Sequence, residues 1–189
     1  MTETPNPHIV DADSLTGEMH PIRRVVLALG SNVGERLASL QGAVDALADT
    51  PDFFVTGVSP VYETEPVDAP ADSGPYLNAV LLADTTLPAA RLMERALAVE
   101  DAFERERSEV RNAPRTLDVD LIVVGDRRSN EDFLRLPHPR AHERAFVLQP
   151  WHDLEPDAVF PDRGPIADLL AATDSSGVKK RDDIALEVE

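Results

Sequence analysis

The feature that most constrains the fold of this chain is a short apolar segment that contains two aspartates, Asp118 and Asp120, and ends at Gly125. Its valines, leucines and isoleucine favour a β-strand, in which side chains alternate between the two faces of a sheet. We therefore expect both aspartates on one face, about 7 Å apart. The other face takes the apolar residues Leu117, Val119 and Leu121. Two carboxylates on a rigid strand can bind one or two Mg²⁺ ions.

Four arginines precede this strand: Arg105, Arg107, Arg111 and Arg115. The chain has only two lysines, both near its C-terminus, so a phosphate clamp in its body must use arginine, whose guanidinium binds phosphate oxygens in pairs. Ion pairs with the neighbouring glutamates are the alternative role for these arginines. The lysine-containing P-loop is absent. Metal-binding carboxylates next to arginines indicate phosphoryl transfer.

The composition limits the class of protein. A chain of 189 residues with 42% hydrophobic residues is expected to form one globular domain. It contains no apolar run of membrane-spanning length and no signal-peptide pattern, which together with the absence of cysteine predicts a cytoplasmic location. The absence of cysteine excludes disulfides and thiolate catalysis. The net charge of −17 argues against non-specific binding to nucleic acid or to an anionic membrane.

The chain divides into three parts by composition. Residues 1–21 carry prolines and acids with little apolar periodicity, and are predicted to be a disordered leader. Residues 22–172 are predicted to form a single domain. Residues 173–189 are polar and are predicted to be a loose C-terminal tail.

Hydrophobic periodicity over residues 22–172 predicts the element order βαββαβ. The elements are strand Val25–Leu29, a helix with Leu37, Leu40, Val44 and Leu47 on its buried face, strands Phe53–Thr64 and Tyr76–Ala83, a helix opened by Pro88, and the strand with the two aspartates. The second and third strands are close enough to pair as antiparallel neighbours. The order suits an α+β sandwich of ferredoxin-like type, with helices packed on a mainly antiparallel sheet and C-terminal additions.

Local signals in the first half of the chain refine these elements. Gly30–Asn32 indicates a tight turn after the first strand, and Asn32 with Glu35 indicates a start of the first helix that resembles a capping box. Pro60 places part of the second strand at an edge or a bulge.

Five residues have both a structural and a functional interpretation. The amide of Asn78, in an apolar strand, either satisfies backbone groups or binds the edge of a heterocycle. Phe146 and Tyr76 either pack in the core or stack on a flat ring. His138, between two prolines, is either structural or a donor to phosphate. Glu100 is either a solvated acid at a helix edge or an acceptor for a base or ribose.

Five ordered segments together resemble the 6-hydroxymethyl-7,8-dihydropterin pyrophosphokinase family, over about residues 25–162. These segments are Leu27–Asn32, Val58–Thr64, Pro75–Val80, Arg111–Ile122, and Leu136–His138 followed by Arg144–Phe146. The resemblance implies transfer of the β,γ-diphosphate of ATP to the hydroxymethyl oxygen of the pterin, with release of AMP, in folate biosynthesis. It also implies a monomer.

The resemblance assigns roles to individual residues. It implies catalytic roles for Arg105, Arg107, Asp118 and Asp120, with the two aspartates binding two Mg²⁺ ions and the two arginines on a mobile loop. It implies ATP contacts for Glu100, Arg107, Arg115, Leu121, His138 and Arg144. It implies a pterin pocket lined by Thr64, Pro66, Val67, Tyr76, Asn78 and Phe146.

The chain departs from some members of the family at two positions. Asn112 stands where they have a Trp that closes over the pterin, and Pro139 stands where they have a Tyr that contacts the nucleotide. Two alternative functions use the same residues. One is a Mg²⁺-dependent nucleotide phosphohydrolase, in which water replaces the pterin, and the other is a non-catalytic nucleotide-sensing domain.

Overall fold

The computed structural model describes residues 20–66, 74–105 and 116–189. The predicted leader lies outside these ranges except for its last two residues. Within the described ranges, no helix has the length and apolar character needed to cross a membrane.

The chain forms ten short strands and four helices within the described residues. The strands are β1 Arg23–Ser31, β2 Phe53–Val58, β3 Tyr62–Thr64, β4 Tyr76–Thr85, β5 Asp118–Val124, β6 Ser129–Glu131, β7 Leu134–Leu136, β8 Val159–Phe160, β9 Gly164–Pro165 and β10 Val178–Lys180. The helices are α1 Arg36–Ala48, α2 Ala89–Arg105, α3 Ala145–Leu154 and α4 Ile166–Ala171. From β1 to β5 the observed order is βαβββαβ, in which the predicted second strand is divided into β2 and β3.

One antiparallel sheet organises the fold. Its strands follow the order β10-β3-β4-β1-β5, and β2 pairs with β4 beside β3. Every pair within it is antiparallel. The α+β class, with an antiparallel sheet and helices packed on it, is confirmed.

The division of the second strand follows from Pro60, as its sequence indicates. Proline has no backbone N–H to donate to a ladder. Ser59 compensates, because its N–H donates to the carbonyl of Val80 at 2.9 Å and its hydroxyl accepts from the N–H of Val80 at 2.8 Å. A bulge at Thr56 also shifts the register with β4. Pro60 and the bulge at Thr56 interrupt the regular strand, and the two bonds of Ser59 keep the backbone of Val80 in β4 paired.

The first face of the sheet is covered by α1 and α2. Leu40, Val44 and Leu47 of α1 are buried in this helix-side core, as predicted.

The predicted capping box is wrong, since α1 begins at Arg36 after Glu35, which makes no side-chain capping bond. The prediction of a tight turn at Gly30 is also wrong, because β1 continues to Ser31. Pairing with both β4 and β5 keeps this stretch extended.

The second face of the sheet has two ends. At the covered end, Val26, Leu82 and Ile122 pack under α3 and α4, with Trp151 and Phe160 among the buried residues of that layer. A bulge at Ile122 shifts the register between β1 and β5, so Ile122 and Val123 both pack in this layer. At the open end, Gly30 is in register with both Asn78 and Asp118, and Asp120 lies two residues further along β5, opposite Ala28.

The residues after 172 differ from the predicted loose tail. Val178 of β10 pairs with Thr64 of β3, and the backbone N–H of Arg181 donates to the carbonyl of Val61 at 2.8 Å. The Arg181 guanidinium donates to Glu63 at 2.8 Å and to both oxygens of Asp183 at 2.8 Å. Backbone pairing and ion pairs hold this polar segment, and hydrophobic periodicity detects neither.

Candidate active site

The two aspartates of β5 lie where the sequence predicts. Asp118 and Asp120 are half-buried and both line a cavity of about 630 Å³ at the open end of the sheet. Val119 between them and Leu121 after them are buried in the helix-side core. The predicted alternation is therefore confirmed, and it places two carboxylates side by side on the wall of one cavity.

Two buried polar side chains hold this part of β5. Glu100 of α2, only 6% exposed, accepts a hydrogen bond from the backbone N–H of Val119 at 2.8 Å. Ser31 donates its hydroxyl to the carbonyl of Thr116 at 2.6 Å. The interpretation of Glu100 as a solvated acid is wrong. Its observed contact fixes the backbone between the two aspartates.

Asn78 presents a fixed amide to the same cavity. It is 7% exposed, and its Nδ2 donates to the hydroxyl of Thr64 at 2.6 Å. In this orientation of the amide, Oδ1 lies toward Gly30, where an added Cβ would lie 2.9 Å from it. Sequence reasoning missed Gly30, although a glycine inside a strand is a known signal of close approach.

Aromatic and cationic groups complete the walls. Tyr76, Phe146 and Pro66 line the cavity, and the guanidinium of Arg144 stands 5.6 Å from the centre of the Phe146 ring, within the range of a cation–π contact. Burial and the nearby charge of Asp118 raise the pKa of Tyr76. Tyr76 therefore keeps its proton and remains a hydrogen-bond donor at neutral pH.

His138 lies next to Asp120 with a defined tautomer. Its backbone N–H donates to the carbonyl of Ile122 at 2.8 Å, and its Nδ1 accepts from the backbone N–H of Arg140 at 3.2 Å. Burial lowers the pKa of His138, Asp120 opposes this effect, and the charges of Arg144 and Arg140 add to it. The ring is neutral at pH 7, and its proton resides on Nε2.

The structure does not bring all predicted residues into the cavity. Of the described candidates, Glu100, Leu121 and His138 are not among its lining residues. The side chain of Leu121, 2% exposed, is part of the helix-side core, so a nucleotide contact from this residue must use its backbone. The remaining residues of interest lie outside the described residues, except that the backbone of Arg105 is described and its side chain is not. They are Val67, Arg105, Arg107, Arg111, Asn112 and Arg115.

Other lining residues were not anticipated. Arg140 precedes a 3-10 turn before α3, Glu143 is the last residue of that turn, and both line the cavity. A turn near the C-terminus, residues 173–178, also lines it. Arg140 follows His138 by two residues in a chain with few cations, which is a usable signal. The 173–178 turn gives no sequence signal, because its polar residues look like solvated tail.

The donor set fits magnesium bound together with a phosphorylated substrate. Within the described ranges, no group of three or more His, Cys, Asp or Glu residues is arranged to hold a metal ion. Mg²⁺ commonly uses one or two carboxylates and completes its coordination with water and substrate phosphates. Asp118 and Asp120 match that pattern, whereas a zinc site with three or four protein ligands is not supported by these residues.

Sequence comparisons identify the family of this chain. A family model described as 7,8-dihydro-6-hydroxymethylpterin-pyrophosphokinase (HPPK) matches residues 26–156. A 2-amino-4-hydroxy-6-hydroxymethyldihydropteridine pyrophosphokinase of Pseudomonas aeruginosa is 38% identical over 159 residues, covering 84% of this chain and 97% of the relative. The protein of the same name from Mycobacterium tuberculosis strain H37Rv is 41% identical over 161 residues, covering 78% and 82%.

Solved structures share the fold. A Plasmodium falciparum HPPK-DHPS triple mutant with pteroate aligns with a TM-score of 0.63 at 13% identity over 89% of this chain. The wild-type protein with pterin and p-hydroxybenzoate aligns with a TM-score of 0.58 at 14% identity over 83%. This chain spans 48% and 42% of those two chains. With the carboxylate pair, the fixed amide and the matched segments in place, the chain belongs to the 7,8-dihydro-6-hydroxymethylpterin-pyrophosphokinase family.

Proposed function

We propose that this protein transfers the β,γ-diphosphate of ATP to the hydroxymethyl oxygen of 6-hydroxymethyl-7,8-dihydropterin and releases AMP, a step of folate biosynthesis. The observation that carries the proposal is that one cavity is lined both by the carboxylates of Asp118 and Asp120 and by Asn78 and Phe146. A phosphate-transfer centre and a receptor for a flat heterocycle therefore share one site. The names of the relatives describe this same activity.

The pterin occupies the part of the cavity around Asn78. Because Nδ2 of Asn78 already donates to Thr64, Oδ1 is available to accept from the ring edge. Phe146 and Tyr76 supply aromatic surface for the ring. The predicted pocket also includes Pro66, which lines the cavity, and Val67.

The phosphates of ATP lie on the arginine side of the same cavity. Arg144 lines it, and Nε2–H of the neutral His138 is a donor that remains after Nδ1 has accepted from Arg140. The family resemblance implies further nucleotide contacts from Arg115, Glu100 and Leu121, and the buried side chain of Leu121 leaves its backbone for that contact. Arg140 adds a cation that the resemblance does not assign.

Asp118 and Asp120 would hold the two Mg²⁺ ions of the reaction. Bound there, the ions supply charge neutralisation on the phosphate oxygens and lower the pKa of the acceptor hydroxyl. The hydroxyl oxygen forms a bond to the β-phosphorus, the bond between that phosphorus and the oxygen that bridges it to the α-phosphorus breaks, and AMP leaves with that oxygen. Asp118 is the nearest carboxylate to accept the hydroxyl proton, and Arg105 and Arg107 stabilise the charge that develops.

The architecture supports a finer fold assignment. The strand order β5-β1-β4 followed by β2 and β3, with α1 and α2 on one face, is that of a ferredoxin-like βαββαβ sandwich, which we propose as the fold. A single domain over residues 22–172, a monomeric state and a cytoplasmic location stay predictions.

One assay tests the function. The protein is incubated with ATP and Mg²⁺, with and without the reduced hydroxymethylpterin, and AMP is quantified. The proposal requires AMP that depends on the pterin. Hydrolysis without pterin would instead identify a phosphohydrolase, and nucleotide binding without turnover would identify a sensor.

A further inference from the structure

The 173–178 turn lines the cavity although it lies beyond the residues that match the family. Thr173, Asp174, Ser176, Gly177 and Val178 all border the same space as Thr64 and Asn78. The family match ends at residue 156, so the resemblance assigns this turn no role. Its contribution to the site must be judged from its own contacts.

The turn is fixed to the strand that carries Thr64. Val178 pairs directly with Thr64, and the backbone N–H of Glu65 donates to the carbonyl of Gly177 at 3.4 Å. Further along, Arg181 binds Glu63 at 2.8 Å. Because Thr64 also orients the amide of Asn78, the turn and the heterocycle receptor share one support.

Bonds within the turn also restrict its shape. Oδ1 of Asp174 accepts from the N–H of Ser176 at 2.9 Å, and the N–H of Val178 donates to the carbonyl of Ser175 at 3.1 Å. The hydroxyl of Thr173 donates to the carbonyl of Leu169 at the end of α4, at 2.8 Å. The turn is therefore held at both ends and in its middle.

Gly177 has free space where a side chain would begin. An added Cβ would meet no heavy atom within 4 Å. The residue is not among the glycines with positive φ, so its backbone does not require glycine. Gly177 is also one of the residues that line the cavity.

We propose that the 173–178 turn forms the wall of the pterin pocket beside Thr64, and that the missing side chain of Gly177 leaves room for the pterin. This inference rests on the proposed function and adds a specificity-determining position to it. The turn limits the size of the heterocycle that the site accepts, and it acts on the pterin rather than on ATP.

The test fills this space stepwise with Gly177→Ala and Gly177→Leu. Lys179→Leu is the matched control, because Lys179 is an exposed residue of the same segment that does not line the cavity. We expect Gly177→Leu to raise KM for the dihydropterin about tenfold and Gly177→Ala to raise it less. KM for ATP, kcat and Tm are expected to stay near those of the unaltered protein.

The proposal is overturned if KM for the pterin is the same in both Gly177 variants as in the unaltered protein. It is also overturned if Lys179→Leu raises KM for the pterin as much as Gly177→Leu does. A third contrary result is an increase in KM for ATP as large as the increase in KM for the pterin. If Gly177→Leu does not fold, the increase in Gly177→Ala decides. Equilibrium binding of fluorescent 6-hydroxymethylpterin separates this inference from the proposed function. If the unaltered protein binds the pterin without turnover and Gly177→Leu binds it more weakly, the pocket wall is supported and the proposed kinase activity is rejected. If the unaltered protein does not bind the pterin, both proposals are rejected.

Discussion

The two ends of the second sheet face use the same strands for opposite purposes. At the covered end, Val26, Leu82 and Ile122 lie under α3 and α4. At the open end, the continuation of the same strands presents Gly30, Asn78 and the two aspartates to a cavity.

Strand alternation places both sets of side chains on one face, and helix coverage alone separates them. Apolar side chains need a second layer of side chains to cover them. Each Å² of apolar surface that this layer removes from water favours folding by about 25 cal/mol. The polar end is left for a substrate and is held from behind by Glu100 and Ser31. Stability should therefore depend on the covered end and turnover on the open end.

The largest expected effect is at the aspartates. Asp118→Ala or Asp120→Ala should lower AMP formation by about three orders of magnitude or more, because each removes a carboxylate that the metal ions require. Tm should change little, since both residues are half-buried rather than in the core. Asp126→Ala, an exposed residue just after β5, is the control. Near-normal turnover in both aspartate variants would contradict the metal assignment.

At the covered end we expect the opposite result, a loss of stability with substrate binding unchanged. Trp151→Ala should cost about 3–5 kcal/mol of unfolding free energy, because Trp151 is 2% exposed and packs with Phe160 at a ring-centre distance of 5.8 Å. Denaturant unfolding measures the loss. At temperatures where the variant stays folded, KM for both substrates should match the unaltered protein. A selective loss of pterin affinity would show that the two ends are not separable.

A smaller effect is expected at Gly30, which lies at the open end beside Asn78. Gly30→Ala adds a Cβ 2.9 Å from Oδ1 of Asn78, so the amide must shift away from its bond to Thr64. We expect KM for the pterin to rise about tenfold, with KM for ATP changed less. Gly57→Ala on β2, where the new Cβ meets only Leu154 at 3.4 Å, is the matched control. An unchanged pterin KM would mean that the amide orientation is not limiting.

The smallest effect concerns the segment that anchors the 173–178 turn. Arg181 lowers the pKa of Asp183 to about 2 from an ordinary value of 3.8. Because the folded-state pKa is depressed, the stabilisation is present above pH 3.8 and disappears as the pH falls toward 2. The difference in Tm between the unaltered protein and Asp183→Asn should therefore shrink between pH 5 and pH 3. A difference that is constant over this range would argue against the ion pair.

Sequence reasoning predicted the parts of this molecule that depend on local periodicity. The alternation around Asp118 and Asp120 and the buried stripe of α1 are determined by neighbouring residues, and the structure confirms both. The family resemblance, which rests on contiguous motifs, is also confirmed.

The errors arise where distant partners decide the structure. Gly30 is extended because β4 and β5 pair with it from both sides, which its neighbours in sequence do not reveal. The segment after residue 172 is ordered because Arg181 meets Glu63, 118 positions earlier. Such contacts have no periodic signature.

The bond between Glu100 and Val119 has a consequence for association between chains. An edge strand exposes backbone groups that can pair with a strand of another molecule. β5 is an outer strand of the sheet, and the N–H of Val119 is already bonded to the buried carboxylate of Glu100. A second strand approaching this edge would have to displace the buried carboxyl group of Glu100. The bond that steadies the aspartates therefore also protects the edge of the sheet against aggregation.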